Sequence, residues 1–444
     1  MVNNEKSKEV MVNTISAYII KGISLVISLA TIPIFMNYFE SQIILGVWFT
    51  LLSFVTWVLN FDLGIGNGLR NKLVKPLLEN DTIRIKEYIS SAYISILFIS
   101  FFIMIIGIVV IIKIDWNNFF NIGSNVITGS YLRSSVLIVF IGIIIQMFLK
   151  TINSILYAMQ KSAINDLCTL LISLLQLMIV ILLPYGDSQT NLINISYAYA
   201  ICSNIPLIIL TIIVFCTRLK ICFPNIKFCK LYLVKEILSL GGSFFGCQIL
   251  FMLLMNTNEI LISKLSTPNS VVEYQIYFKI FNLISMLFMV GMSPIWSATT
   301  KAIESNDIIW LKGLIIRLKR FALLISLIQI IIIPIFPFLL KIWLGSDAPY
   351  TNYFYCLAFS LFGISMIFQS LFSCIASGFG SMKVQLNIFT VSVILKFILS
   401  PVLLFIFPGK WICIIILNAA LLAIYSFIEN IHIYNLIRKR EKRV

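Results

Sequence analysis

The chain has 444 residues, of which 60% are hydrophobic and only 11% are charged. Because an ordinary soluble protein carries about a quarter charged residues, this composition excludes a water-soluble globular fold and indicates a protein with many membrane spans. The formal net charge is +15, and its meaning depends on where the basic residues fall.

Twelve apolar runs separated by polar connections follow one another along the chain. A helix needs about 20 apolar residues to cross a bilayer, and none of the runs has the alternating pattern of a β-barrel strand. Segments in lipid must satisfy their own backbone groups, so the runs predict an all-α polytopic membrane protein whose first helix is retained rather than cleaved. They fall at residues 12–37, 43–63, 88–113, 134–159, 163–184, 192–217, 237–264, 271–297, 321–344, 351–377, 385–407 and 411–436.

The basic residues between these runs predict the orientation of the protein. If the N-terminus lies in the cytoplasm, the cytoplasmic segments hold 24 Lys and Arg residues and the opposite side holds five. This asymmetry follows the positive-inside rule and predicts that both termini lie in the cytoplasm. The positive charge is therefore a topology signal, and nucleic acid is a poor explanation for residues dispersed among short loops.

A weak internal repeat divides the predicted spans into two halves. A shift of 226 residues aligns Lys75, Asn80, Asp81, Ile83 and Lys86 with Lys301, Asn306, Asp307, Ile309 and Lys312. Because each half has an even number of helices, the two halves enter from the same side and form a parallel repeat. We predict six-helix bundles at residues 1–217 and 237–444, joined by a cytoplasmic linker at 218–236.

The cysteines and the single histidine show no pattern that predicts a metal site or a catalytic site. No two of the nine cysteines have close metal-ligand spacing, and His432 is the only histidine in the sequence. Small hydrophobic fillers within apolar runs are the simplest interpretation of the cysteines. We therefore predict no metal and no cofactor, and the single histidine argues against a Ser/His catalytic arrangement.

Ionisable residues inside the predicted spans are the candidate functional residues, because a charge at the centre of a membrane helix costs on the order of 2.5–3.5 kcal/mol and normally faces protein or water. Four are lysines with polar neighbours at helical spacing, as Lys150 has Gln146, Asn153 and Tyr157. Two are carboxylates. The six are Lys21, Asp62, Lys150, Glu259, Lys279 and Lys396.

The four lysines predict a site for an anionic ligand. Two lie in each half, so a positive cavity lined by both bundles would suit a phosphate or pyrophosphate, which lysine binds as a point charge. Lys150 is the strongest candidate, since it lies about 16 Å along a helix from Lys161 and does not easily reach the interface. The alternative is that each lysine is neutralised by a fixed carboxylate, such as Glu259, or snorkels to the membrane surface.

A glycine-rich segment follows the second run. Asp62 precedes Gly64, Gly66 and Gly68, which let the backbone bend or approach another element closely. No strand precedes them, so they form no dinucleotide fingerprint, and a helix-ending turn is the simpler alternative. Asp62, Glu259 and Arg70 are candidates for coupling or gating, with Glu259 either pairing a lysine or accepting a cation.

Several short motifs resemble those of one transporter family. They are FDLGIGNGLRNKL (Phe61–Leu73), GVW (Gly46–Trp48), NEILISKL (Asn258–Leu265) and EYQIYFKIF (Glu273–Phe281). Together they resemble Wzx-type flippases of the multidrug/oligosaccharidyl-lipid/polysaccharide (MOP) exporter superfamily, and the likeness extends over essentially the whole chain.

The resemblance implies a MATE-like fold and alternating access by two six-helix bundles. It also implies a substrate, an undecaprenyl-pyrophosphate-linked repeat unit of O-antigen or capsule, moved from the cytoplasmic to the periplasmic leaflet. Transport coupled to an H⁺ or Na⁺ gradient, and partners such as a polysaccharide polymerase and a chain-length regulator, belong to the same expectation. The sugar, the pathway and the oligomeric state stay open.

Two other classes remain as alternatives. A multidrug or cation exporter of the same superfamily would need an acidic or aromatic cavity, whereas the spans hold four candidate lysines and two candidate carboxylates. An O-antigen polymerase or ligase, which is an enzyme, would carry a substantial external loop with arginines. The longest predicted external connection, at residues 114–132, has one basic neighbour, Arg133.

Overall fold

The structure is a computed structural model. It describes residues 62–441 apart from 121, 122, 125, 185, 259, 260, 263–265, 267, 345–349 and 408; before residue 62 it describes residues 15, 16, 18–20, 22–24, 27, 34, 35, 38, 39, 44, 47, 48, 51, 52 and 57–60. Within these residues the regular elements are helices and none is a strand. The predicted all-α fold is therefore confirmed.

The helices beyond residue 64 are numbered in chain order. They are α1 (Ile65–Lys72), α2 (Val74–Glu79), α3 (Thr82–Lys113), α4 (Trp116–Phe120), α5 (Gly129–Leu149), α6 (Thr151–Ala158), α7 (Ser162–Leu182), α8 (Ser188–Thr217), α9 (Leu231–Asn256), α10 (Pro268–Val290), α11 (Met292–Glu304), α12 (Ile308–Leu344), α13 (Tyr353–Phe379), α14 (Lys383–Ile406) and α15 (Ile412–Glu441).

Ten helical stretches of the described residues are long and apolar enough to cross a membrane. They correspond in order to the last ten of the twelve predicted spans. Consecutive helices combine in two of them, α5 with α6 and α10 with α11. The first two predicted spans, at 12–37 and 43–63, lie largely outside the described residues.

Helix α3 illustrates why these helices are apolar all round. Its buried face carries Ile85, Ile89, Ala92 and Ile96 at helical spacing, yet Phe98 on the opposite side is 63% exposed. In water such a helix would keep a polar outer face. Because the surrounding solvent is lipid, both faces are hydrophobic, and only the inner face is selected for packing.

The chain divides into two compact units, and the division falls after Gly242, within α9. The segment predicted as a linker, 218–236, consists of two short 3-10 turns at Lys220–Cys222 and Ile226–Phe228 and the first residues of α9. The helix therefore begins six residues before the predicted span at 237. Lys235 and Glu236 separate these first residues from the apolar run, so hydropathy does not mark them as part of the span.

In the N-terminal unit, α5 packs against α3 and α8, and α8 also packs against α7. A Cβ added to Gly142 of α5 would lie 2.7 Å from the Cβ of Ala200 in α8, so this contact requires a small residue. The Asn204 side chain donates to the Gly142 carbonyl at 2.9 Å. Small residues and interhelical hydrogen bonds are the usual means of association in lipid, which supplies no hydrophobic driving force.

In the C-terminal unit, α13 lies at the centre and packs against α10, α11, α12 and α15. Stacked aromatic rings fill the space where α10, α12 and α13 meet. The ring of Tyr277 lies 4.8 Å from that of Phe336 and 5.6 Å from that of Phe359, measured between centroids. All three side chains are buried, so the stack fixes α10, α12 and α13 against one another.

Candidate functional site

The glycine-rich segment forms a tight turn that leads into α1. Leu63 and Gly64 both have positive φ, of 51° and 72°. The Asp62 carboxylate accepts hydrogen bonds from the backbone N–H groups of Gly64, at 2.9 Å, and Gly66, at 3.3 Å. A carboxylate at this position satisfies orphan donors at the start of a helix, so Asp62 has a local structural role in the turn before α1, whose N-cap residue is Gly64.

The glycines of α1 let it pack directly against the backbone of α9. A Cβ on Gly64 would lie 2.0 Å from the carbonyl oxygen of Gly241, and a Cβ on Gly68 would lie 2.4 Å from that of Ile237. Both distances are far below van der Waals contact. We predicted that these glycines permit a bend or a close approach of the backbone. Gly64 combines the two, since it has a left-handed conformation and contacts the backbone of α9.

Arg70 projects from α1 toward α6. Its guanidinium carbon lies 4.4 Å from the centre of the Tyr157 ring, and the Arg70 side chain is buried. A desolvated cation–π contact of this kind contributes about 2 kcal/mol. Arg70 is therefore part of the packing between α1 and α6, and its predicted gating role stays a prediction.

Lys150 lies between α5 and α6, eight residues before the end of the span. Its side chain is exposed. Its ammonium and the Asp62 carboxylate attract one another. No carboxylate of the described residues, however, lies within 4.0 Å of this ammonium, the limit for an ion pair. The structure thus leaves the Lys150 charge accessible and only partly compensated.

A second charged cluster ties α1 and α3 to the beginning of α9. The Lys72 ammonium lies 2.6 Å from one carboxylate oxygen of Glu236, and the Tyr88 hydroxyl donates to the other oxygen at 3.0 Å. Sequence reasoning missed this cluster because the three residues are separated by up to 164 positions. The ion pair is half-exposed, so its contribution to stability is about 0–1 kcal/mol.

Lys396 of α14 is fully buried in the C-terminal unit. Its ammonium donates to the Leu254 carbonyl at 2.5 Å, to the Thr257 hydroxyl at 2.9 Å and to the Asn258 side-chain oxygen at 2.7 Å. The same Asn258 oxygen accepts a hydrogen bond from Asn418 of α15 at 2.6 Å. All three ammonium protons therefore have acceptors, and Lys396 joins α14 to the end of α9.

The other predicted site residues differ in their surroundings. Lys279 of α10 is exposed, and its ammonium lies 5.8 Å from the centre of the Trp343 ring near the end of α12. Lys21 and Glu259 lie outside the described residues. The predicted pairing of Glu259 with a lysine therefore stays a prediction.

Glu429 of α15 was not among the predicted residues, although it falls within the predicted span 411–436. Its side chain is fully buried, and neither carboxylate oxygen has a hydrogen-bond partner among the described residues. The rule that selected the other ionisable residues in spans would also have selected this one. A carboxylate so isolated is costly in its charged form.

The chain has the fold of solved MATE transporters. A multidrug-resistance MATE transporter of the MOP superfamily in an outward-facing conformation superposes with a TM-score of 0.77, at 14% identity over 99% of this chain and 97% of that one. A Vibrio cholerae MATE transporter in its bent form gives 0.75, at 11% identity over 99% and 98%. A MOP transporter from Pyrococcus furiosus, described as having a binding pocket of reversed polarity, gives 0.76, at 15% identity over 98% and 97%.

A relative by sequence points in the same direction. A Yersinia pseudotuberculosis protein provisionally named as an O-antigen export protein is 24% identical over 284 residues. The match spans 61% of this chain and 62% of the relative's length. No family model matches the chain. These comparisons confirm the predicted resemblance to the MOP superfamily.

Proposed function

We propose that this protein is a flippase that moves a lipid-linked oligosaccharide, an O-antigen or capsule repeat unit on undecaprenyl pyrophosphate, from the cytoplasmic to the periplasmic leaflet by alternating access. It would act in a bacterial inner membrane with both termini in the cytoplasm. It would be a transporter and not an enzyme. Coupling to H⁺ or Na⁺, and association with a polysaccharide polymerase and a chain-length regulator, belong to the same proposal.

The observation that carries the proposal is the state of Lys150. A lysine within a membrane span normally faces protein or water and is matched by an opposite charge. Lys150 is exposed, and among the described residues it has only the more distant attraction of Asp62. An accessible, incompletely compensated ammonium favours an anionic ligand group, and a pyrophosphate carries that charge.

The fold and the sequence relative narrow the class of substrate. Transporters of the same fold include multidrug exporters and one with a binding pocket of reversed polarity, so the fold is compatible with pockets of either charge. The sequence relative is named for O-antigen export. Together with accessible lysines, this supports a phosphorylated saccharide lipid over a cationic drug.

The alternative is a multidrug or cation exporter, and Glu429 is the observation in its favour. This buried carboxylate offers negative charge with no hydrogen-bond partner among the described residues. Its complete burial, however, gives a bulky cation no access to it in this conformation.

Reconstitution into vesicles distinguishes the two functions. Purified protein is placed in proteoliposomes with a polyprenyl-pyrophosphate oligosaccharide in the inner leaflet, and a glycosidase added outside measures how much sugar reaches the outer leaflet. We expect the sugar to reach the outer leaflet faster than in protein-free vesicles. Ethidium transport in the same vesicles without oligosaccharide transport would overturn the proposal in favour of drug export.

A genetic test addresses the same proposal in cells. Deletion of the gene should remove surface polysaccharide and leave single lipid-linked repeat units on the cytoplasmic side, and a plasmid copy should restore the surface glycan. Unchanged surface polysaccharide in the deletion strain would contradict the assignment.

A further inference from the structure

The connection segment, which we define as residues 218–235, has an unusual composition for a loop between two membrane spans. It carries five basic residues and no Asp or Glu. All five basic side chains are exposed, and none makes an ion pair with a described residue. They are Arg218, Lys220, Lys227, Lys230 and Lys235. The segment therefore presents concentrated, uncompensated positive charge.

This segment is fixed to α3 rather than free in solution. The backbone N–H of Asn225 donates to the Ser90 hydroxyl, and that of Lys230 donates to the Ser91 hydroxyl, both at 3.0 Å. The Lys86 ammonium lies 4.3 Å from the centre of the Phe228 ring. These contacts set the height of the segment along α3.

That height corresponds to the membrane interface. Helix α3 begins at Thr82, but its apolar run begins at residue 88, so Ser90 and Ser91 lie within the first turn of the run. At about 1.5 Å per residue this is only about 3–5 Å past the beginning of the run. The backbone of the connection segment therefore lies at the level of the lipid headgroups.

Large apolar side chains of the segment remain uncovered. Ile226 is 78% exposed and Ile221 is 72% exposed. Phe223, Leu231 and Tyr232 are also exposed. A rigid loop in water would gain nothing from such side chains, whereas at an interface they enter the boundary of the acyl chains while neighbouring lysines stay among the headgroups.

We propose that the connection segment is a binding surface for anionic phospholipids of the cytoplasmic leaflet. Ile221, Phe223 and Ile226 enter the acyl boundary, and Lys220, Lys227 and Lys230 contact lipid phosphates. Charge complementarity selects the partner, because five cations without a carboxylate match an anionic leaflet. The proposal does not depend on the substrate that the protein transports.

Photolabelling of the wild-type chain tests insertion without any substitution. The protein is reconstituted in phosphatidylethanolamine with phosphatidylglycerol that carries a diazirine on the acyl chain near the glycerol. After irradiation, mass spectrometry maps the labelled residues. We expect labels on Ile221, Phe223 or Ile226. Their absence from residues 219–232, with labels near the opposite end of the α3 apolar run at the exposed Val110 and Ile112, would overturn the proposal.

Charge removal tests lipid selectivity. The variant Lys220→Gln/Lys227→Gln/Lys230→Gln is compared with Lys75→Gln/Lys383→Gln/Lys439→Gln, which loses the same charge from other exposed lysines. The readout is the ratio of phosphatidylglycerol to phosphatidylcholine retained after purification from mixed nanodiscs. Since each lysine near an anionic surface contributes about fivefold in affinity, we expect the first variant to lose about tenfold or more of this preference.

The control variant should keep most of the preference. Equal loss in both variants would mean that total charge alone, and not this surface, recruits the lipid, and would contradict the proposal. The connection segment could also be labelled as strongly in vesicles of phosphatidylethanolamine and phosphatidylcholine alone as in vesicles with phosphatidylglycerol. That result would contradict the proposed specificity for anionic lipids.

Discussion

Asn80 and Asn306, which the sequence repeat aligns, have the same left-handed backbone conformation, with φ of 53° and 52°. Each is followed by an aspartate that caps the next helix. The Asp81 carboxylate accepts from the N–H of Arg84 at 3.0 Å, and that of Asp307 accepts from the N–H of Trp310 at 3.2 Å. The weak repeat therefore records a shared helix–turn–helix connection in the two units.

The first prediction concerns these two asparagines. Asparagine tolerates the left-handed region, whereas a β-branched residue does not. We expect Asn80→Val to lower the free energy of unfolding by about 1–3 kcal/mol, measured as thermal melting in detergent, and Asn306→Val to do the same. Asn80→Gly is the control. It should melt within a degree or two of wild type, which corresponds to a change in the free energy of unfolding of about 0.5 kcal/mol at most. Equal losses for Val and Gly would show that the side chain, not the backbone conformation, matters.

The second prediction tests the contact between α1 and α9. A Cβ at Gly241 would lie 2.5 Å from the Gly64 carbonyl oxygen, whereas a Cβ at Gly242 would meet nothing within 4 Å. Gly241→Ala should therefore cost about 1–3 kcal/mol through overpacking. Gly242→Ala, the adjacent control, should be neutral or stabilising by up to about 1 kcal/mol because alanine favours a helix. Thermal melting in the same detergent compares them, and the same melting temperature for both would refute the close packing.

The third prediction separates buried from accessible lysines. Lys396→Met removes a donor from three acceptors, so we expect a loss of about 1–3 kcal/mol in stability. Lys279→Met leaves an exposed position and should change stability by about 0.5 kcal/mol or less. Chemical denaturation monitored by intrinsic fluorescence measures both. A stable Lys396→Met variant would mean that its hydrogen-bond network contributes nothing.

The fourth prediction concerns the charge of Lys150. Lys150→Ala should reduce oligosaccharide flipping about tenfold or more, since loss of a charged contact to phosphate costs about 1.5–3 kcal/mol, and Lys150→Arg should retain most activity. Lys161→Ala, on the connection after the same span, is the control for a nearby lysine and should behave as wild type. If Ala and Arg at position 150 transport equally at matched expression, Lys150 has no part in the site.

The fifth prediction concerns Glu429. Replacing an unpartnered buried carboxylate by an apolar side chain of similar size removes its desolvation cost, so Glu429→Met should raise stability by about 1–4 kcal/mol. Glu304→Met, at the half-buried end of α11, is the control and should be close to neutral. A destabilised Glu429→Met protein would show instead that this carboxylate has a partner that stabilises it.

Much of the fold follows from local properties of the sequence. Run length and hydropathy predict the last ten spans within a few residues at most ends, since crossing lipid requires a minimum apolar length whatever the tertiary arrangement. The main exception is α12, which begins at Ile308 instead of the predicted 321. Its first turns carry Lys312, Arg317, Lys319 and Arg320, so hydropathy does not recognise them, although they continue the helix beyond the apolar run.

The sequence by itself determined the membrane class and predicted the orientation, because apolar length and loop charge depend only on nearby residues. Only the tertiary structure decided that Lys396 is fully hydrogen-bonded while Lys150 is accessible. Both are lysines with polar neighbours in apolar helices. Their difference depends on acceptors about 140 residues away in the chain, Leu254 and Asn258, because a buried charge is satisfied by whichever helices pack beside it.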